Sequence, residues 1–115
     1  VTALEHYFTE EPKSKMRLGL VRTWLRGLEF EFLTASGVFS HRRIDPGTRL
    51  LIEAMVLPEE GTFLDLGCGY GPIGIVAARL RPQALVYMTD VNRRALALAE
   101  ENAQRNGVTN VRVLE

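Results

Sequence analysis

Glycines alternate at positions 67, 69 and 71, and an aspartate stands two residues ahead of the first, in Asp65-Leu66-Gly67-Cys68-Gly69-Tyr70-Gly71. The run follows the apolar stretch Phe63-Leu64-Asp65-Leu66 and precedes an apolar segment opening at Pro72, so it reads as a strand-to-helix turn. Glycine there lets the backbone turn sharply and lets a ligand approach without side chains in the way. The start of the following helix offers amide N–H groups and partial positive charge, which suit a carboxylate or a phosphate. A ligand loop is the reading taken, a purely connecting turn the alternative. Gly69-Tyr70-Gly71-Pro72-Ile73-Gly74 also satisfies the G-x-G-x-x-G of dinucleotide sites, but it starts two residues after the strand and leaves Asp65 without a purpose. Asp90, at the end of the next apolar run, stands where an acid accepts hydrogen bonds from both hydroxyls of a ribose; the competing role is N-cap of the next helix.

The remaining reactive side chains do not assemble into a second chemistry. Cys68 is the only cysteine, which excludes an internal disulfide, and beside His6 and His41 alone it makes no zinc set, so no metal is expected. With no base near it, Cys68 reads as a small filler rather than a nucleophile. Tyr70 either covers the edge of a ligand or shields the loop.

The loop needs elements to hold it. After the turn Pro58-Glu59-Glu60-Gly61 come the short strand at Phe63–Leu66, a helix over Pro72–Leu80, a strand over Ala84–Thr89, a helix over Arg93–Asn106 closed by Gly107, and a strand begun by Val111-Arg112-Val113-Leu114. That alternation is the pattern of a right-handed parallel α/β sheet, here with three strands. Upstream, residues 1–13 read as a lead-in arm and Ser14 to Arg26 as a helix stopped by Gly27, with Trp24 on its apolar face. Leu28 to Thr34 alternates apolar and charged as a strand with one wet face, and Ser36-Gly37 turns it toward Val38-Phe39-Ser40, which suggests a hairpin. A helix begins at Pro46 behind Asp45 as N-cap, with Leu50, Leu51, Ala54, Met55 and Leu57 as its apolar stripe, and ends near Val56.

The composition, 46% apolar and 24% charged over 115 residues, is that of an ordered domain, and no run of some twenty apolar residues spans a membrane. The opening Val1-Thr2-Ala3-Leu4-Glu5-His6 lacks the build of a signal peptide, so a cytoplasmic protein is expected. Formal net charge is zero. From Lys13 to Arg49, however, eight basic residues face only Glu29, Glu31 and Asp45, a local excess of five. A solvated helical face and an RNA contact surface account for this excess equally well.

The residues around the loop carry a resemblance. Phe63-Leu64-Asp65-Leu66-Gly67-Cys68-Gly69-Tyr70-Gly71 resembles the first motif of class I methyltransferases, and Thr89-Asp90-Val91-Asn92-Arg93-Arg94-Ala95 with Ala99-Glu100-Glu101-Asn102 resembles their second. Gly37-Val38-Phe39-Ser40 with Asp45-Pro46-Gly47-Thr48-Arg49-Leu50-Leu51 is similar to the approach segment of the methyltransferase small-domain family, which includes bacterial ribosomal RNA guanine-N2 methyltransferases. The resemblance implies a Rossmann-like α/β fold carrying an N-terminal helix and hairpin. Residues 1–57 would form the arm, helix, hairpin and approach helix, and 58–115 the first part of a domain binding S-adenosylmethionine. It implies that Asp65, Gly67, Cys68, Gly69, Tyr70 and Gly71 line the methionine and adenosyl part of that cofactor and that Asp90, Val91 and Asn92 hold its ribose end. Phe39, Ser40, Asp45 and Thr48 would lie near the cofactor and the target base. The implied activity is methyl transfer to RNA, at an exocyclic guanine nitrogen; a scaffold that binds cofactor without catalysis, or an NAD-linked oxidoreductase, are the competing functions. An Asn-Pro-Pro-aromatic motif and an acid after the third strand, both expected of the family, are absent from this reading of the sequence, so the 115 residues alone are expected to be inactive. Oligomeric state is left open.

Overall fold

Two small sheets share one hydrophobic core in the computed structural model, which describes residues 17–36 and 43–115. The lead-in arm, Phe39 and Ser40 lie outside the described residues. The first sheet is an antiparallel hairpin of β1 (Leu18–Leu25) and β2 (Leu28–Ala35), paired from Leu18 opposite Ala35 to Leu25 opposite Leu28. The helix expected over Ser14–Arg26 is therefore a strand from Leu18 onward. The deciding pattern has period two: Val21 and Leu25 turn into the core while Leu18, Leu20, Arg22 and Trp24 face out. Arg26 and Gly27 both adopt positive φ, 55° and 78°, as a two-residue type I′ hairpin turn requires. Gly27 thus reverses a strand rather than ending a helix, and Trp24, expected in a core, is 62% exposed. β2 pairs with β1, and the pairing expected at Val38–Ser40 falls outside the described residues; the alternation of β2 stands, with Phe30 and Phe32 stacked side by side in the core.

Helix α1 (Pro46–Ala54) starts as expected, Asp45 accepting from the Thr48 amide at 3.0 Å and Pro46 in its first turn. Its apolar stripe differs from the expected one. Leu50 is 72% exposed and Leu51 also faces out, whereas Ile52 is fully buried. The reason is orientation: Arg26 donates to the Ile52 and Met55 carbonyls, its amide donates to Glu53, and Arg49 donates to the Trp24 carbonyl and the Thr23 hydroxyl, which latches α1 across the hairpin turn.

The second sheet is parallel, in the order β3 (Gly61–Leu66), β4 (Ala84–Thr89), β5 (Val111–Leu114), with α2 (Pro72–Leu80) and α3 (Arg93–Arg105) as crossovers. Phe63, Asp65, Val86, Met88, Val111 and Val113 share one face through the register, turned toward the helices. Leu64, Leu66 and Leu114 share the other with Tyr87 and are exposed, so β3 is not the fully buried strand its apolar run suggested. A Schellman motif closes α3: Gly107, at φ 68°, donates to the Gln104 carbonyl and Val108 to the Ala103 carbonyl. The Asn110 amide group lies within bonding distance of the carbonyls of Ala78, Arg81 and Ala84, which seats the entry to β5 against the end of α2. No helix among the described residues is long and apolar enough to cross a membrane.

Candidate functional site

The glycine loop runs from the end of β3 to the start of α2 and is hung on the end of β4. Gly67 and Cys68 amides both donate to the Thr89 carbonyl, at 2.8 and 2.9 Å, and the Gly69 amide donates to one carboxylate oxygen of Asp90 at 2.9 Å. Gly67, Gly69 and Gly71 all have positive φ, 71°, 58° and 105°. A Cβ at Gly67 or Gly69 would meet nothing within 4 Å, so these two positions face open space. Gly71 differs, since a Cβ there would strike Ile75 and Ala99; it is the N-cap of α2 and turns toward the interior.

Asp65 reaches across from β3 to accept the Gly74 amide of α2 at 2.9 Å. The helix start therefore has a carboxylate of its own: Pro72 carries no N–H, and Gly74's is taken. Burial, partly offset by the Gly74 bond and aided by the nearby Asp90 charge, pushes the Asp65 carboxyl up to about 6. Gly74 itself permits the contact, because a Cβ there would lie 2.6 Å from the Met88 sulfur and 3.0 Å from Asp65.

Asp90 is not the cap of α3. Asn92 has that role, its side-chain oxygen accepting from the Arg94 and Ala95 amides, while the second oxygen of Asp90 accepts from the Asn92 amide. Asp90 thus ties the glycine loop to the α3 entry and stands at a cleft of about 530 Å³ lined by Leu66, Gly67, Thr89, Asp90, Val91, Arg93, Leu96 and Glu115. The cleft sits at the carboxyl ends of β3 and β4, where ligands of open parallel α/β sheets bind. Its walls combine apolar surface from Leu66, Val91 and Leu96 with the acids Asp90 and Glu115, the latter 3.6 Å from Arg93. Glu115 directly follows β5.

The other expected site residues are placed as follows. Cys68 and Tyr70 are buried. Burial pushes the Cys68 thiol up to about 12, so it is no nucleophile at neutral pH. The Tyr70 ring packs 5.8 Å from Phe32, and burial together with the charge of Asp45 raises its phenol to about 12. Of the two ideas for Tyr70, shielding the loop describes its position. Asp45 and Thr48 are joined in the α1 cap, close to Tyr70. No group of three metal-ligating side chains occurs among the described residues. Asn102, which the sequence offered only within the second motif, and Asn106, read only as the end of the helix, prove central: Asn102 is fully buried in α3 and Asn106 lies one turn later, both bonded to the β2 backbone. Two carboxamides four apart beside an apolar helix face were the available signal.

Within the segment from Lys13 to Arg49, Arg26 and Arg49 are committed to α1 and the hairpin turn, and Arg22 pairs with Glu31 at 2.7 Å. Part of the basic excess is thus structural.

Comparison with known proteins agrees with this geometry. The pattern of the methyltransferase small domain matches residues 29–115. Across 96% of its length the chain is 46% identical to Bacillus subtilis (strain 168) "Uncharacterized protein YbxB" and spans 56% of that protein. Over 70% of its length it is 40% identical to the ribosomal RNA small subunit methyltransferase C of Pseudoalteromonas atlantica, and spans 24% of it. The crystal structure of Trm5b from Pyrococcus abyssi superposes with a TM-score of 0.50 at 21% identity, covering 98% of this chain and 41% of that one, a likeness of fold.

Proposed function

The chain belongs to the methyltransferase small domain family, whose members use S-adenosylmethionine, and on that premise we propose that it forms the cofactor-holding part of an S-adenosylmethionine-dependent RNA methyltransferase. The target we propose is an exocyclic guanine nitrogen of ribosomal RNA, a reading supported by the ribosomal RNA methyltransferases among its relatives. The chain spans little more than half of one relative and about a quarter of another, so this activity is proposed for the whole protein.

The observation that carries the reading is the placement of Asp90. Its carboxylate lies at the carboxyl end of β4 on the wall of the cleft, with Gly67 beside it and Val91 open to the ligand. A carboxylate accepts two hydrogen bonds from neighbouring hydroxyls, which fits a ribose; the apolar surfaces of Leu66, Val91 and Leu96 fit the flat face of a base. Gly67 and Gly69 leave space in front of the backbone for the rest of such a ligand. We assign Asp65, Gly67, Cys68, Gly69, Tyr70, Gly71, Asp90, Val91 and Asn92 to this site, Cys68 and Tyr70 through their backbone, and Asp45 and Thr48 to the approach side.

S-adenosylmethionine supplies an already activated methyl group on its sulfonium. The protein's task is then to bind, orient and exclude water, and alignment dominates the rate. That division of labour agrees with a site whose acids hold backbone amides instead of forming a proton relay.

Isothermal titration of the chain with S-adenosylhomocysteine and, separately, with NADH tests the assignment. Saturable one-site binding of S-adenosylhomocysteine alone is expected. Binding of NADH alone, or of neither, overturns it. RNA as partner is tested by affinity for a ribosomal RNA fragment, which should fall as salt rises from low to moderate concentration; a flat response removes the basic segment as a contact surface.

A further inference from the structure

Asn102 is 0% exposed, and both N–H groups and the oxygen of its side chain are hydrogen-bonded. Its oxygen accepts from the Leu33 amide at 2.7 Å, and its nitrogen donates to the Leu33 carbonyl at 2.8 Å and to the Tyr70 carbonyl at 2.9 Å. Asn106 repeats the first two bonds one turn later, accepting from the Glu31 amide at 3.0 Å and donating to its carbonyl at 2.8 Å. The spacing makes this possible: residues four apart on a helix are displaced by about 6 Å along its axis, and residues two apart on a strand by nearly the same, about 6.6 Å. The carboxamides therefore pair with the outer edge of β2 as a neighbouring strand would. Only Asn102 reaches the glycine loop as well.

We propose that Asn102 is a positioning residue that couples the glycine loop to the hairpin, so that ligand occupancy of the loop and the placement of the end of β2 as far as Ser36 are linked through one buried amide. The route is short. Tyr70, whose carbonyl Asn102 holds, packs its ring against Phe32 on the same strand. Three residues beyond Leu33, Ser36 is held by Arg94 from the first turn of α3, two residues past the Asn92 cap and four past Asp90. Helix α3 thus touches the cleft at one end and β2 along its length. The coupling applies to any ligand of the loop, while its use in setting the acceptor side rests on the methyltransferase reading.

The test compares Asn102→Asp with Asn106→Asp in the 115-residue chain. Each keeps size and loses the donors to β2, but only the first loses the donor to the loop. Native-state hydrogen exchange is read at the Gly69 and Gly71 amides, normalised to Val86 in the middle of β4. Loop exchange is expected to quicken by about tenfold more in N102D than in N106D. Equal changes in the two variants overturn the proposal and leave Asn102 a hairpin dock like Asn106. S-adenosylhomocysteine affinity should fall about tenfold in N102D and less than about twofold in N106D. If the wild type binds no S-adenosylhomocysteine, the methyltransferase reading fails and the exchange comparison still decides the coupling. Should N102D not fold, the wild type decides alone: Leu33 and Gly71 amides must open as one cooperative unit, and separate openings overturn the proposal.

Discussion

Individual side chains show how closely stability and binding are joined at this site. Asp90 accepts hydrogen bonds from two backbone amides with its two oxygens and still borders the cleft. Asp90→Ala should weaken S-adenosylhomocysteine binding by one to two orders of magnitude, about 1.5 to 3 kcal/mol, because hydrogen bonds to a charged group are lost; calorimetry with unchanged affinity would leave Asp90 a purely structural tie. Asp65 makes a pH prediction. Its carboxyl is raised from 3.8 to about 6, chiefly by burial, so the native state binds its proton more tightly than the unfolded chain does. The stability it contributes is fully present below pH 3.8 and is lost as pH rises through about 6. Asp65→Asn should therefore raise the stability of the unliganded protein at pH 7, by up to about 3 kcal/mol, an advantage that shrinks toward pH 4. Urea midpoints at the two pH values check it, and an advantage that grew on acidification would contradict the burial argument.

Among the elements, the hairpin was hardest to read and is simplest to perturb. Leu18–Leu25 spreads Leu20, Val21, Trp24 and Leu25 closely enough to imitate helical spacing, and a glycine after it suits a helix end as well as a turn. The register with β2 removes the ambiguity, since a helix would bury Leu20 and Trp24 beside Val21 and Leu25, whereas period two buries Val21 and Leu25 and turns Leu20 and Trp24 outward. Gly27 has φ 78° and room for a methyl group, so Gly27→Ala costs only backbone strain. We expect a loss of about 1 to 2 kcal/mol in denaturant unfolding; an unchanged midpoint would mean the turn relaxes to another type. Elements from α1 onward were legible because each carries a local stop or start: Asp45 before Pro46, the alternating glycines before Pro72, Gly107 after α3. Which residues of α1 point inward was not legible, because two arginine latches on the hairpin turn set the roll of the helix.

At the scale of the whole molecule, the described residues cover the parallel sheet on one face only. Leu64 and Leu66 are 65% and 78% exposed, next to Leu114 and the half-buried Tyr87. Such a contiguous apolar face should bind an environment-sensitive apolar dye. The double variant Leu64→Thr, Leu66→Thr should reduce the fluorescence of bound dye while shifting stability by no more than about 1 kcal/mol, since exposed positions carry little burial energy. Undiminished dye binding would place the apolar surface elsewhere, for instance on the outer face of β1 at Leu18, Leu20 and Trp24.

By itself the sequence determined the parallel α/β half, the loop from Asp65 to Gly71, and the position of Asp90 at a strand end. Each depends on neighbours within a few residues, through glycine's access to positive φ and the two hydrophobic periods. Tertiary structure alone decided that Asp65 serves the amide of Gly74, that Asn92 and not Asp90 caps α3, and that Asn102 and Asn106 complete the edge of β2 from some seventy residues away. Buried polar groups must find partners wherever the fold supplies them, and a partner distant along the chain leaves no periodic trace in the residues that will meet it.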